Sequence, residues 1–250
     1  SLAVALTVMV SSFRGSVTQW LDAVLPSPLY VRSAIGGGGT GGGEAALLPA
    51  GFAEAVGQLP GLDRVQPLRA SPLQLSPTLP ALTVLSRPLG DEPAQTLPLV
   101  GEALPVPPGR TGVYISEAVV DLYGLRPGME WPALSKAFSA QALENHAPAA
   151  IFYIAGIWRD YARQTGAVVM DRAVWLRLTG DTRTSDLALW PSEGTDVSAL
   201  QASIRALAAK QAGRQPSTAA GATTGDSEAL VEFSSAATIR ERSLRIFDRS

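Results

Sequence analysis

Residues 185–207, SDLALWPSEGTDVSALQASIRAL, hold the pattern that decides the fold. SDLALW (185–190) reads as a strand, and Thr195 or Asp196 can cap the helix that follows. Val197, Leu200, Ile204 and Leu207 are spaced 3, 4 and 3, which gathers them on one helical face. A Gly/Ser/Thr-rich stretch at 211–227 reads as a loop, and ALVEFS (229–234) reads as another strand. The order is β–α–β.

The same order stands near the start of the chain. LYVRSA (29–34) alternates and is β-prone. GGGGTGGG (36–43) reads as a flexible linker; no Lys-Ser or Lys-Thr follows it, so it is not a phosphate loop. A helix over 50–59 places Phe52, Val56 and Leu59 together, and Pro60-Gly61 closes it. Residues 63–70 then read as a strand. Two such units flanking an insertion can assemble one split-βαβ sandwich. The predicted class is α+β, with a small β-rich lobe inserted and long helices at both chain ends. The first lobe takes 29–100 and 185–235, the insertion 101–184, and the end helices 1–28 and 236–250.

Inside the insertion, GVYI (112–115) is a strand, Ser116 can cap a short helix ending near Tyr123, and Gly124 suits the position after it. Leu-Arg-Pro-Gly (125–128) reads as a tight turn. AIFYIAGIW (150–158) is the strongest strand, GAVVM (166–170) is the next, and RDYARQT can join them as a hairpin. Asp171 can cap a helix over 172–179. Residues 81–86 read as a further strand, and the prolines of 87–110 favour edge strands and loops.

The ends have a different character. SLAVALTVMV (1–10) is almost wholly apolar, and Leu6, Val10, Phe13, Val17, Trp20 and Val24 continue it as one helical seam. Two readings fit: a membrane helix emerging into water, or a buried N-terminal helix. At the other end, AATIRERSLRIFDRS (236–250) reads as a helix with Ile239, Ser243, Ile246 and Phe247 on one side and four arginines on the rest. A nested plan brings both ends together, as a loop hung between adjacent membrane helices requires.

Composition narrows the chemistry. Hydrophobic residues make up 46% and charged residues 17% of 250, so the chain can bury a core. A net charge of −2 supplies no basic field for nucleic acid. The absence of cysteine excludes disulfides, thiolate catalysis and metal–thiolate sites. A catalytic triad would have to use the one histidine, His146, in ENHAPAA, and no G-x-S-x-G elbow is present. One histidine excludes a histidine-rich metal site, and no D-x-D-x-D-G calcium loop occurs. Asp91 and Glu92 read as solvated, and Asp160 and Asp171 as turn and capping residues. Trp158, Arg159, Asp160 and Tyr161 form the most suggestive cluster. Trp158 reads as core, while Arg159 and Tyr161 are candidates for a partner interface.

The run ALTVMVSSFRGSVTQWLDAVLPSPLYVR (5–32) resembles the end of the first transmembrane helix and the start of the external domain in FtsX-like/MacB-type permeases of ABC transporters. GVYISEAVVDLYGLRPGM (112–129), FYIAGIWRDYARQTGAVVMDRAVWLRL (152–178) and IRERSLRIFDRS (239–250) are similar to later parts of that domain, in the same order. The resemblance implies a porter-like α+β lobe with an inserted lobe, exposed outside an inner-membrane parent. It implies no cofactor in this domain, with ATP hydrolysed on a separate cytoplasmic subunit. The implied partners are a cognate ATP-binding cassette ATPase, a second permease copy or homologue, and a periplasmic protein or lipoprotein. The domain is then not an enzyme but a mechanical and binding module, with Phe13, Val17, Trp20, Ile246 and Phe247 as coupling residues. The alternative is a free-standing periplasmic ligand-binding protein, and a hydrolase of unknown type is a third reading.

Overall fold

Leu29 and Val31 are buried while Arg32 is exposed, so strand β1 (Leu29–Ser33) has the alternation of a strand with one face on a core. The computed structural model describes residues 2–25, 27–34, 46–213 and 230–245. Among these, β1 lies between strands β8 (Asp186–Pro191) and β9 (Val231–Ser235), antiparallel to both. Strand β8 pairs antiparallel with β2 (Leu62–Leu73) on its other side. The order β2-β8-β1-β9 leaves β1 and β2 parallel with β8 between them, and β8 and β9 parallel with β1 between them. Two β–α–β units are thus interleaved, as their repetition in the sequence predicts.

Helices α2 (Phe52–Gly57) and α6 (Val197–Ala212) cover one face of these four strands. Phe52, Val56, Leu200 and Ile204 share a core with Val31 and Leu189. Asp196, not Thr195, caps α6: its carboxylate accepts from Ser198 N at 3.0 Å and Ala199 N at 3.2 Å. The Thr195 hydroxyl donates to the Gly61 carbonyl at 3.1 Å instead. Val197 stays exposed, and Ala208 enters the core one turn after Ile204.

Strand β2 is long enough to serve two halves. Residues 62–68 pair with β8, and residues 69–73 pair with β3 (Leu82–Arg87). Beyond β3 come β7 (Ala167–Asp171), β5 (Thr111–Ser116), β6 (Phe152–Trp158) and the short β4 (Leu99–Val100), which completes one mixed nine-stranded sheet. Helices α3 (Glu117–Tyr123), α4 (Pro132–Glu144) and α5 (Arg172–Thr179) cover the face that buries Ile115, Ile154 and Met170. Each such side chain contributes about 1.5–3 kcal/mol by leaving water. The inserted part therefore carries three helices beside its strands. Its opposite face buries Tyr114, Ala155, Trp158 and Val169 under Leu89 and Leu97 of the Pro-rich segment, so Trp158 is core.

The hairpin expected of 150–158 and 166–170 does not form. Strand β5 lies between β6 and β7, parallel to the first and antiparallel to the second. Apolar runs such as FYIAGIW suit central strands buried on both faces, and such runs do not reveal their neighbours. Likewise 82–87 and 99–100, grouped in the sequence reading with residues 29–100, hydrogen-bond to β7 and β6. Gly124 ends α3 in the left-handed conformation (φ 63°), and Asp171 caps α5 by accepting from Ala173 N at 3.0 Å. Ser116 stands at the N-cap of α3, but its hydroxyl accepts from Ala167 N at 3.0 Å and so ties β5 to β7. A turn over Arg126–Met129, with Gly128 at φ 93°, holds its 3.2 Å bond from Met129 N to the Arg126 carbonyl.

Candidate functional site

Helix α1 (Leu2–Val24) buries Val17 and Leu21 only; Leu2, Val4, Leu6, Met9 and Phe13 are exposed. The apolar seam of the sequence is therefore covered in its C-terminal half alone. No helix among the described residues is long and apolar enough to cross a membrane.

The lower half of α1 meets the loop 159–166 that follows β6. Trp20 Nε1 donates to the Arg159 carbonyl at 2.7 Å. The Tyr161 ring stands edge-on to Trp20 at 5.4 Å and to Phe13 at 5.9 Å. Perpendicular rings at these separations are attractive, by about 0.5–1.5 kcal/mol per pair beyond area burial. Two of the coupling candidates, Phe13 and Trp20, thus meet the two interface candidates, Arg159 and Tyr161. Arg159 is fixed at both ends: its backbone N donates to the Pro98 carbonyl at 3.0 Å, and its Nε donates to Glu117 Oε1 at 3.0 Å. That carboxylate bond holds the exposed Arg159 guanidinium above its ordinary pKa. Asp160 shapes the loop by accepting from Ala162 N at 2.8 Å and from Arg163 Nη1 at 3.2 Å.

Helix α7 (Ala236–Leu244) leaves β9 capped by Ser235, whose hydroxyl accepts from Thr238 N at 3.1 Å. Its Arg240 pairs with Asp22 of α1 at 2.8 Å, so the two end helices are in contact. Ile246 and Phe247 lie outside the described residues.

Between α1 and the uncovered face of the four-stranded sheet is a cavity of about 50 Å³ bounded by Val24, Tyr30, Gln66, Arg87 and Asp186. Ser27 supports its rim: the Ser27 N donates to the Tyr30 hydroxyl at 3.1 Å, and its Oγ donates to the Leu29 carbonyl at 2.9 Å and meets the Leu189 carbonyl. Burial raises the Tyr30 hydroxyl above its ordinary pKa and lowers the Arg87 guanidinium. Burial also pushes Asp186 up to about 6, against the pull of Arg32 and Arg163. Asp186 is half-buried and lines the cavity, and the desolvation there outweighs the two arginines. Sequence reasoning passed over Tyr30 and Asp186, and Asp22 read only as a polar residue off the seam of the first helix. The one signal was a carboxylate opening an apolar strand, SDLALW.

A second, open groove of about 370 Å³ runs between α2 and the outer side of β2, past Ala53, Glu54, Gly57, Arg64 and Val65. His146 is exposed at the end of α4, in the left-handed region at φ 54°. Among the described residues, no three His, Asp or Glu side chains gather to hold a metal ion.

An α+β domain with a split-βαβ lobe, a second lobe on the same sheet and a long N-terminal helix is the class these observations define. No family model and no curated protein matches the sequence. Among solved structures, the chain shares its fold with the periplasmic region of MacB from Actinobacillus actinomycetemcomitans. The TM-score is 0.52 at 12% identity, covering 89% of this chain and 95% of that one. The extracellular domain of the noncanonic ABC-type transporter YknZ from Gram-positive bacteria also aligns, with a TM-score of 0.47 at 10% identity over 75% of this chain and 95% of that one.

Proposed function

We propose that this chain is the extracytoplasmic domain of an ABC transporter permease subunit, and that it couples ATP hydrolysis on a cytoplasmic partner to substrate or partner handling outside the membrane. The observation that carries this reading is the docking of α1 on the loop 159–166 through Trp20, Phe13 and Tyr161. A displacement of α1 along its axis pulls directly on the end of β6, because Arg159 follows Trp158 in the chain. The Asp22–Arg240 pair makes α7 move with it. The fold shared with the MacB periplasmic region supports the same reading. The domain itself holds no nucleotide and performs no catalysis; a cognate ATP-binding cassette ATPase and a second permease copy complete the machine.

Spin labels on Leu143 of α4 and Ser203 of α6, in the complete permease with its ATPase, test this. The expected result is a distance distribution that changes between the nucleotide-free and vanadate-trapped states. In a Trp20→Ala, Tyr161→Ala double variant the change is lost while ATP is still hydrolysed. Identical distributions in both nucleotide states of the unaltered protein would refute the coupling role.

A further inference from the structure

Where the two helical layers meet, the protein buries more hydrogen-bond donors than acceptors. Arg69 of β2 and Arg172, the first residue of α5, are each 7% exposed, while Ser86 of β3 and Thr184 are fully buried. The strand register sets two of them on one face: Arg69 is opposite Ser86, and Ser86 is opposite Met170. Met170 packs in the core that α5 covers, and Arg172 opens α5. Both terminal nitrogens of Arg172, Nε of Arg69 and the hydroxyls of Ser86 and Thr184 have no hydrogen-bond partner among the described residues.

The Asp181 carboxylate is already used. Asp181 takes Nη1 of Arg69 at 2.8 Å, Nε and Nη2 of Arg183 at 2.9 Å each, and the Arg183 backbone N at 3.1 Å. These bonds hold Asp181 down at about 2. The Asp181 carbonyl accepts from Trp175 Nε1 at 3.1 Å, and the Trp175 ring lies under the Arg69 guanidinium at 5.3 Å. Of the two carboxylates close enough to favour the charge of Arg172, Asp181 is thus spent. Glu54 of α2 forms no ion pair with it among the described residues. Arg183 and Glu54 are exposed; inside, Arg69 and Arg172 face Asp181, which pairs with Arg69, so the charge of Arg172 has no ion pair among the described residues.

We infer that this cluster is a binding site for a small monovalent inorganic anion of halide size, held by Arg172 and Nε of Arg69 with the Ser86 and Thr184 hydroxyls turned toward it. One negative charge neutralises Arg172 and accepts from the unmatched donors, which is what buried guanidiniums require. Close burial of the terminal nitrogens of Arg172 selects a small ion over a large oxyanion. The site spans both lobes, with Thr184 bridged to Leu48 before α2 and Arg172 opening α5. The inference is independent of the transporter reading.

The test is thermal unfolding in sodium chloride against sodium gluconate at equal ionic strength. The unaltered protein is expected to melt roughly 5 °C higher in chloride at about a hundred times the dissociation constant. Arg172→Leu is expected to melt at the same temperature in both salts. Equal melting of the unaltered protein in the two salts, or a chloride effect undiminished in Arg172→Leu, overturns the assignment. Should the variant not fold, a bromide-containing crystal of the unaltered protein decides. An anomalous peak between Arg172 and Arg69 upholds the site, and no peak with Glu54 paired to Arg172 overturns it.

Discussion

The Trp20 indole donates 2.7 Å to the carbonyl of Arg159, a residue 139 positions away in sequence. This bond and the Tyr161 ring fasten α1 to the far half of the sheet, not to the lobe that α1 enters.

Trp20→Phe keeps a ring against Tyr161 and leaves the Arg159 carbonyl without its donor. The expected cost is about 1 kcal/mol in urea unfolding, and Trp20→Ala costs more because the ring contact goes too. Amide exchange along residues 13–24 accelerates in both variants. Unchanged exchange there would mean that Val17, Leu21 and the Asp22–Arg240 pair suffice to hold α1.

Asp186 gives stability an acid-favouring component. Its native pKa near 6 exceeds the ordinary 3.8, so the folded protein binds the proton more tightly than the unfolded chain. The stabilisation is complete below pH 3.8 and is lost as pH rises through 6, at most about 3 kcal/mol in all. Asp186→Asn removes this slope and is the more stable protein at pH 7. Parallel pH–stability curves for the two proteins would contradict the assignment.

Asp181 acts in the opposite sense. Its native pKa near 2 lies below 3.8, so its contribution is present above pH 3.8 and is lost as pH falls through 2. Asp181→Asn is expected to lose about 2 kcal/mol at neutral pH, with the gap to the unaltered protein closing below pH 2. Guanidinium unfolding followed from pH 7 to below pH 2 measures it.

His146 occupies a left-handed position at the end of α4, where Ala147 N donates to the Ala142 carbonyl at 2.9 Å. Glycine adopts that conformation without a Cβ penalty. His146→Gly should stabilise the fold by about 0.5–1 kcal/mol, read as a rise in melting temperature. A loss of stability would show that the imidazole makes a contact worth more than the strain.

The repeated β–α–β pattern was legible because each helix has a clear face and each strand a clear boundary, as with Leu200, Ile204 and the Asp196 cap. Pairing within the second half was not. AIFYIAGIW and GAVVM announce burial on both faces, and burial alone is silent about which strand lies beside which. Phe13 and Trp20 stood out by their place on the apolar seam and Arg159 and Tyr161 by residue type, but their meeting depends on 139 residues of intervening chain. Asp186, Arg69 and Arg172 were least visible: a charged residue looks the same in sequence whether it faces water or is enclosed.

Strand β2 carries two sets of partners along one unbroken backbone, β8 over its first seven residues and β3 over its last five. The two halves therefore share a spine. They cannot part like the shells of a clam without tearing that strand from one neighbour, so the least costly relative motion is torsion about its axis. A pull on α1 would then be expressed as twist of the distal half, like a lever turning a shaft.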